Sequence, residues 1–476
     1  MSTFRRIGFG CLVGICFAVG YAARLNSAAR EEAVLGGARR SSTGAPGVMV
    51  AAARLEDASI DLRPLGLMLT VLKSLREHYV DQITPEDEGR MAYDSLRAML
   101  SSLDDPNTRF LDPAQRKLVA DAAQGTFHGI GVILAIKKVK TGSLTEEHLV
   151  VVTPIESGPA AKAGLKPGDD IVAVNGRDVL PYNPYRKAEE MVKESMKKPA
   201  QKTQLKKTID AEAERIKTGI PILEAESLLV SEDTKEVELS VVRKGSPRPI
   251  KLKITPRSFS VVPVTSALIE KDNLGYVKIN CFSTAAAEQF RNAVRELKSK
   301  GAKGLVLDLR NLAGGTIDTA VEIARPLLPG RPLAVERLSR GRKSTIKAPE
   351  CSPEDAWRGP IVALVNTGTA RMAEVLAAAL RDGASAKLVG EKTYGDCSVV
   401  TILEQRDGSA VSMTTGVCVP VRSADYQGKG LAVDVNVGSA GSGDPQLKEA
   451  VKVLAAMAGV PTARSESSER MTRGRS

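Results

Sequence analysis

The sequence has few of the residues that build metal, redox or nucleic-acid-binding centres. Its 476 residues include three histidines, six cysteines and one tryptophan, and aromatic residues make up only 4%. The histidines (His78, His128 and His148) are scattered and no C-x-x-C motif occurs, so we expect no metal site and no cofactor. The net charge of +11 comes without aromatic residues among the basic ones. We therefore interpret it as a generally basic surface and expect no nucleic-acid partner.

One long apolar run stands at the amino terminus. Arg5 and Arg6 precede it, and residues 7–23 would span roughly 26 Å as a helix, slightly less than a bilayer core. This pattern is typical of a secretory signal peptide, which we place at residues 1–25, with an uncleaved signal anchor as the alternative. A buried core helix fits less well, because residues 26–61 have the composition of a linker. We expect an extracytoplasmic protein, periplasmic or secreted, that contacts membrane only through this N-terminal segment.

The remaining length exceeds what one hydrophobic core usually fills, so the sequence predicts an α/β multidomain protein. Residues 62–125 carry apolar residues at helical spacing, which indicates a helical N-terminal domain. Residues 259–460 alternate buried-strand patterns, glycine turns and helices, which indicates an α/β core with parallel strands. The Ser- and Arg-rich residues 461–476 are predicted to be a disordered tail.

Between these regions lies a glycine-rich β pattern. The loop Gly129, Ile130, Gly131 and Val132 is followed by the stretch Ser157 to Asp169 (SGPAAKAGLKPGD) and by Ile171 to Gly176 (IVAVNG). This succession resembles a PDZ domain, which we place at residues 126–258. In such domains the loop amides bind a peptide carboxylate and a strand edge adds a peptide strand, so unstructured protein C-termini are the expected partners. A plain β-rich domain with glycines only for turns is the alternative.

A Lys/Glu-rich stretch interrupts this pattern at about residues 182–231. Its composition indicates helix, and we interpret it as a charged helical insertion that departs from the usual PDZ pattern. A solvated excursion and a docking surface for an acidic partner are the two alternatives.

Two stretches of the α/β core carry a more specific signal. Residues Gly368 to Glu374 read GTARMAE, and Gly390 to Val400 read GEKTYGDCSVV. They resemble the active-site motifs G-T-A-S-A-S-E and G-E-K-T-F-G-K-G-x-V-Q of the carboxy-terminal processing peptidases, PDZ-containing serine proteases of family S41. The resemblance places the nucleophilic serine at Arg371, its lysine base at Asp396 and the glutamine that supports the lysine at Val400.

All three chemical groups are therefore replaced. Arg371 has no nucleophilic oxygen and its guanidinium stays protonated, while Asp396 has no serine to activate. No catalytic residue is intact on this interpretation. We expect the opposite charges at positions 371 and 396 to form an ion pair, with two independently solvated side chains as the alternative.

A further family motif, D-L-R-N-N-P-G-G, helps to form the oxyanion hole through backbone amides. Asp308 to Gly315 (DLRNLAGG) resembles it, with Leu312 and Ala313 as departures. Backbone donors need no particular side chain, so the resemblance implies that an oxyanion loop at Gly314 and Gly315 could outlast the nucleophile.

Two cysteines flank a predicted hairpin. Residues 398–405 and 410–419 read as strands around a turn at Asp407 and Gly408, and a two-residue turn would place Cys397 opposite Cys418. A cross-strand disulfide and a pair of buried free thiols both fit this register.

These observations predict an exported pseudopeptidase that binds unstructured chain ends, with an active homologous protease as a further possible partner. Two alternatives stay open. One is an active peptidase with a relocated nucleophile, for which Thr369, Cys397 and Ser398 are the candidates. The other is a structural envelope protein.

Overall fold

A computed structural model describes residues 63–460, apart from 104, 142–143, 182–183, 186, 190–191, 193–201, 232–234, 247 and 440–442. The predicted leader, the linker, the C-terminal tail and much of the first half of the insertion lie outside these residues. The chain divides into two compact units. One comprises the residues up to Arg116 together with 400–414, and the other comprises 117–399 together with the residues from Thr415 onward.

The first unit contains the predicted helical region. Helix α1 extends over Arg63–His78 and α2 over Pro85–Ser101. Helix α2 begins where Thr84 accepts a hydrogen bond from the Asp87 amide while the Asp87 carboxylate accepts one from the Thr84 amide, a capping box that fixes the helix start. The short strand β1, Arg109–Leu111, pairs antiparallel with residues 410–412, and helix α3 follows at Pro113–Ala123.

The PDZ-like region is built mainly of antiparallel strands. Its strands are β2 (Thr126–Phe127), β3 (Val132–Thr141), β4 (Leu144–Pro154), β5 (Asp170–Val174), β6 (Arg177–Leu180), β7 (Ile220–Pro221), β8 (Val237–Val242) and β9 (Ile250–Ile254), with the short helix α4 at Pro159–Lys162. Alternate residues of these strands point into one core, so that Val237, Leu239 and Val241 of β8 are all fully buried.

The insertion is smaller than the sequence predicted. It contains helix α5, Lys202–Thr218, whose residues are mostly exposed. Helix α6, Ile222–Val230, instead buries Ile222, Ala225 and Leu229 in the PDZ core. The sequence analysis assigned α6 to the insertion because charged residues surround it, whereas its apolar face makes it part of the domain.

The α/β core is organised around a mixed sheet in the order β11-β12-β13-β16-β17-β20. These strands are β11 (Val264–Ile269), β12 (Leu274–Ile279), β13 (Leu305–Asp308), β16 (Ile361–Val365), β17 (Lys387–Gly390) and β20 (Val435–Asn436). Within this sheet β12, β13, β16, β17 and β20 run parallel to one another, while β11 is antiparallel to β12. The predicted parallel α/β layer is confirmed.

Helices cover both faces of this sheet, which is why its central strands are apolar apart from Asp308 at the end of β13. Helices α7 (Ala286–Ser299), α8 (Ile317–Ala324) and α9 (Met372–Ala384) contribute to the larger core cluster, and α10 (Pro445–Met457) contributes to a separate one. Successive residues of β13 alternate between the two, since Leu305 and Leu307 belong to the first cluster and Val306 to the second.

The remaining elements are the short strand β10 (Phe259–Ser260), which pairs with β2, and two hairpins. Strands β14 (Pro332–Leu338) and β15 (Lys343–Lys347) form one hairpin, and β18 (Ser398–Glu404) and β19 (Ala410–Val419) form the other. Gly408 donates to Gln405 and Gln405 donates to Ser409, so the second turn is longer than the predicted two residues. Among the described residues, no helix has both the length and the apolar content required to cross a bilayer.

Candidate active site and peptide-binding loop

Arg371 occupies a strained turn between β16 and α9. Its backbone has φ 56° and ψ −121°, a conformation that non-glycine residues rarely adopt. The preceding residues fix this turn, because the Ala370 amide donates to the Leu312 carbonyl and the buried Thr369 hydroxyl donates to the Leu309 carbonyl. The strained backbone is therefore built into the fold and does not depend on the Arg371 side chain.

The predicted ion pair is present. Arg371 Nε lies 3.2 Å from Asp396 Oδ2, and the two side chains are 32% and 17% exposed. The Asp396 carboxylate also accepts a hydrogen bond from the Ser398 amide through its other oxygen. Two opposite charges thus meet in a partly buried place, at the positions where the family resemblance puts the nucleophile and its base.

Glu374 connects the two chain segments that carry this pair. Its fully buried carboxylate accepts hydrogen bonds from the Arg371, Gly395 and Asp396 amides and from the Thr393 hydroxyl. Burial raises the pKa of Glu374 to about 7, although the hydrogen bonds oppose this shift. The sequence analysis gave Glu374 no role. A glutamate at the third position of a helix predicts only a local cap.

The glycine loop after β13 has the conformation that side chains would prevent. Gly314 and Gly315 have φ of 85° and 82°, and a Cβ at Gly315 would lie 2.6 Å from the Phe282 ring. Neither amide donates a backbone hydrogen bond within the described residues. The loop is held at its N-terminal end, since Arg310 pairs with Asp308 and Asp444 and the Asn311 amide donates to the Asn366 side chain.

The position that the resemblance assigns to the family's glutamine offers no polar group. Val400 lies on β18 and carries an aliphatic side chain that cannot replace the hydrogen bonds of a glutamine.

The three candidates for a relocated nucleophile are all buried. The Thr369 hydroxyl is committed to the Leu309 carbonyl. Burial raises the pKa of the Cys397 thiol far above its ordinary value, with a smaller opposing effect of its hydrogen bond with Tyr426. Ser398 is 6% exposed. A protonated, inaccessible thiol and two enclosed hydroxyls lack the activation that nucleophiles need.

Cys397 and Cys418 are free thiols in the structure, which is one of the two alternatives that the sequence left open. The Cys418 amide donates to the Cys397 carbonyl at 2.9 Å, so the two residues do lie on neighbouring strands. Burial also raises the pKa of Cys418, to about 12.

The predicted carboxylate loop of the PDZ region is only partly available. The Ile130 amide donates to the Leu229 carbonyl at the end of α6, and the Gly129 and Gly131 carbonyls accept from Arg257 and Ile155. The Gly131 amide has no backbone acceptor among the described residues. The Gly129 amide likewise has no backbone acceptor there, so the Ile130 amide is the loop donor already in use, and the two glycine amides are the candidates for binding a peptide carboxylate.

The PDZ strands pack against the Arg371 turn. Val152 of β4 forms an apolar cluster with Ala313 and Ala370, and Lys137 Nζ of β3 lies 4.0 Å from the centre of the Tyr394 ring. Desolvation lowers the pKa of Lys137, while the charge of Glu374 raises it. The sequence analysis missed this arrangement, because these residues are far apart in the chain.

Comparisons with known proteins agree with this architecture. A model of peptidase family S41 matches residues 273–437, and a PDZ-domain model matches residues 150–190. The chloroplastic C-terminal processing peptidase of Tetradesmus obliquus is 30% identical over 379 residues, covering 76% of this chain and 71% of that protein. The carboxy-terminal processing protease CtpA of Bacillus subtilis is 30% identical over 335 residues, covering 70% and 61%. A solved photosystem II D1 C-terminal processing protease has 27% identity and a TM-score of 0.55, covering 83% of this chain and 92% of that chain.

Proposed function

This chain belongs to the carboxy-terminal processing peptidases of family S41, and from that membership we propose that it is an exported, catalytically inactive member that binds unstructured C-terminal segments of other proteins. One observation carries the proposal of inactivity. An Arg371–Asp396 ion pair, 3.2 Å between the charged atoms, stands at the positions of the family's serine and lysine.

The chemistry of the pair supports inactivity. Peptide hydrolysis by this family's route requires an oxygen that attacks the carbonyl carbon and a base that takes its proton. A guanidinium supplies neither at any useful pH. The glycine loop would still donate hydrogen bonds to a carbonyl oxygen, but a donor without a nucleophile binds a peptide and does not cleave it.

The PDZ domain supports the binding half of the proposal. Strand β3 follows the loop at Gly131, and helix α6 packs in the same PDZ core. PDZ domains bind an extended chain end by adding it to an exposed strand edge. Contacts of β4 with the Arg371 turn keep this domain beside the former catalytic turn. A bound peptide end would therefore lie near the place where an active relative cleaves, and one role of such binding is to protect chain ends or to regulate an active homologue.

The proposed location follows from the N-terminal segment and from the relatives. Residues 1–25 have the pattern of an export signal, and bacterial and chloroplast processing peptidases are compatible with an extracytoplasmic place of action.

Incubation of the purified protein with an unfolded, fluorescently labelled protein tests the activity proposal. We expect no cleavage above the buffer blank and no effect of serine-directed reagents, with an active family member as the positive control. Robust cleavage that disappears in Cys397→Ala would contradict inactivity and establish the relocated nucleophile. Absence of both cleavage and peptide binding would favour a structural envelope protein.

A gain-of-function variant tests whether the backbone frame is still competent. The triple change Arg371→Ser, Asp396→Lys and Val400→Gln restores the family's three side chains on a turn whose strained backbone is already present. Detectable cleavage by the triple variant, absent from each single variant, is the expected result if the glycine loop keeps its geometry.

A further inference from the structure

The hairpin formed by β14 and β15 has an unusual distribution of charge. We name residues 332–347 the basic hairpin, because they contain one acidic residue, Glu336, and five basic ones: Arg337, Arg340, Arg342, Lys343 and Lys347. All five basic residues are exposed. The sequence analysis did not single out this segment, because it interpreted the positive charge as a generally basic surface.

The turn of the basic hairpin presents its charges outward. Arg340 and Gly341 both have positive φ, 57° and 72°, and the Leu338 amide donates to the Arg342 carbonyl to close the turn. Arg337 and Lys343 occupy directly opposite positions on the two strands. Like charges placed opposite each other destabilise a strand pair, so this register concentrates positive charge at a cost in stability.

Neighbouring carboxylates do not neutralise the tip. Within the described residues, Arg340, Arg342, Lys343 and Lys347 lie in no ion pair, whereas Arg337 reaches Asp425 at 3.2 Å. Strand β19 pairs with β14 through residues 416–419, which carry no charge. Glu336 is the one carboxylate on the hairpin, and burial raises its pKa. The basic hairpin thus exposes four basic side chains that lie in no ion pair within the described residues, and the part of β19 beside it carries no charge.

We propose that the basic hairpin docks on the surface of a lipid bilayer that contains anionic headgroups. The clustered cations provide the attraction, and the exposed turn provides the reach. If the apolar run at residues 7–23 is the uncleaved anchor, it holds the chain at the membrane, and the 39 residues 24–62 are long enough to reach about 130 Å, so a distant face can meet the same bilayer.

A nucleic acid fits the basic hairpin less well. Single-stranded nucleic acid is bound with aromatic side chains on which bases stack, and residues 332–347 contain none. The sequence analysis expected membrane contact only through the N-terminal segment, so the hairpin adds a second point of attachment that is independent of the PDZ domain and of the proposed loss of catalysis.

Vesicle partitioning of the full chain tests the proposal. Each basic residue near an anionic leaflet strengthens partitioning about fivefold, so the variant Arg342→Gln/Lys343→Gln is expected to lose about 25-fold. The measured quantity is the partition coefficient for phosphatidylglycerol-containing vesicles divided by that for phosphatidylcholine vesicles, at low salt. This ratio removes the contribution of the apolar leader, which partitions into both vesicle types. Comparison of the variant with wild type removes the electrostatic contribution of Arg5 and Arg6, which both proteins contain.

A matched control separates the hairpin from net charge. Lys251→Gln/Lys253→Gln removes the same charge from β9, where each lysine already pairs with a glutamate at 3.1 and 3.3 Å. We expect the control to change the ratio less than about twofold, and amide exchange of residues 338–346 to slow only with anionic vesicles. Equal losses in the two double variants, or no slowing of exchange at the hairpin, would overturn the proposal. So would an unchanged vesicle ratio together with weakened binding to a DNA duplex, which would assign the hairpin to nucleic acid.

Discussion

The Arg371 turn and the PDZ loop hold their backbone groups in opposite ways. At the Arg371 turn the backbone is strained, and hydrogen bonds from neighbouring residues support it. At the PDZ loop the glycine pattern is present, but the Ile130 amide is bonded to the end of α6. The turn is therefore fixed by contacts inside the fold, while the loop has part of its binding capacity in use elsewhere.

This difference between the turn and the loop shows which features of a site the surrounding fold stabilises without a ligand. The Arg371 turn is fixed by Glu374, which binds both chain segments from inside, so a change at the surface of the turn does not disturb it. A PDZ loop depends on amides that must stay unpaired until a ligand arrives, and any neighbouring carbonyl can take one of them.

The largest effect is expected from removing the buried carboxylate. Glu374→Ala leaves the Arg371, Gly395 and Asp396 amides without an acceptor in a closed site, which should lower the free energy of unfolding by about 3–4 kcal/mol. Urea unfolding measures this. The exposed Glu354→Ala serves as the control and should change stability by less than about 0.5 kcal/mol. A small loss at position 374 would mean that the turn does not depend on this residue.

The titration of Glu374 gives the second prediction. Its pKa in the folded protein, about 7, lies above the ordinary value of 4.5, so the folded state binds the proton more tightly than the unfolded state. The stabilisation is complete below about pH 4.5 and is lost as the pH rises through 7. Between pH 5 and 8, wild type should therefore lose up to about 3 kcal/mol relative to Glu374→Gln. If the stabilities of the two proteins change with pH in parallel, the pKa of Glu374 is not raised. The hydrogen bonds would then outweigh burial in setting that pKa.

The sequence predicted much of the architecture because apolar periodicity reports burial directly. Strand β16 is a continuous apolar run, the buried-strand pattern expected of the α/β core, and helices pack on both of its faces. Helix α6 was misassigned because Glu224 and Glu226 resemble the charged insertion beside it, and only the positions of its apolar residues reveal the packing.

The sequence predicted those features of the candidate site that depend on residue type at a given position. It missed those that depend on contacts between residues far apart in the chain. Charges at positions 371 and 396 suggested an ion pair, and the structure contains it. The contact of Lys137 with Tyr394 joins two domains, and no local pattern in either segment predicts it. The use of the Ile130 amide depends on where α6 ends, which the sequence left open by several residues.

A double-mutant cycle tests how strongly the ion pair is coupled. Arg371→Gln and Asp396→Asn each remove one member of this partly buried pair, while the double variant removes both. We expect a coupling energy of about 1–2 kcal/mol in denaturant unfolding, because solvent screens the more exposed Arg371. Asparagine at 396 can still accept the Ser398 amide, so the cycle isolates the charge. Additive single effects would show that the two side chains are solvated independently.

The smallest effect is expected at the PDZ loop. A free peptide carboxylate should bind better than its amide, but only about tenfold, with a dissociation constant in the micromolar range, because the Ile130 amide is already used and the Gly129 and Gly131 amides remain. Replacing Gly131 with a bulky residue should also weaken binding. A Cβ there would lie 2.6 Å from the Phe259 ring, so thermal unfolding must show that this variant is folded.

Calorimetric titration of the wild-type protein with matched free and amidated peptides needs no variant and avoids that difficulty. Equal affinity for the two peptides would remove the chain-end receptor and favour a structural role.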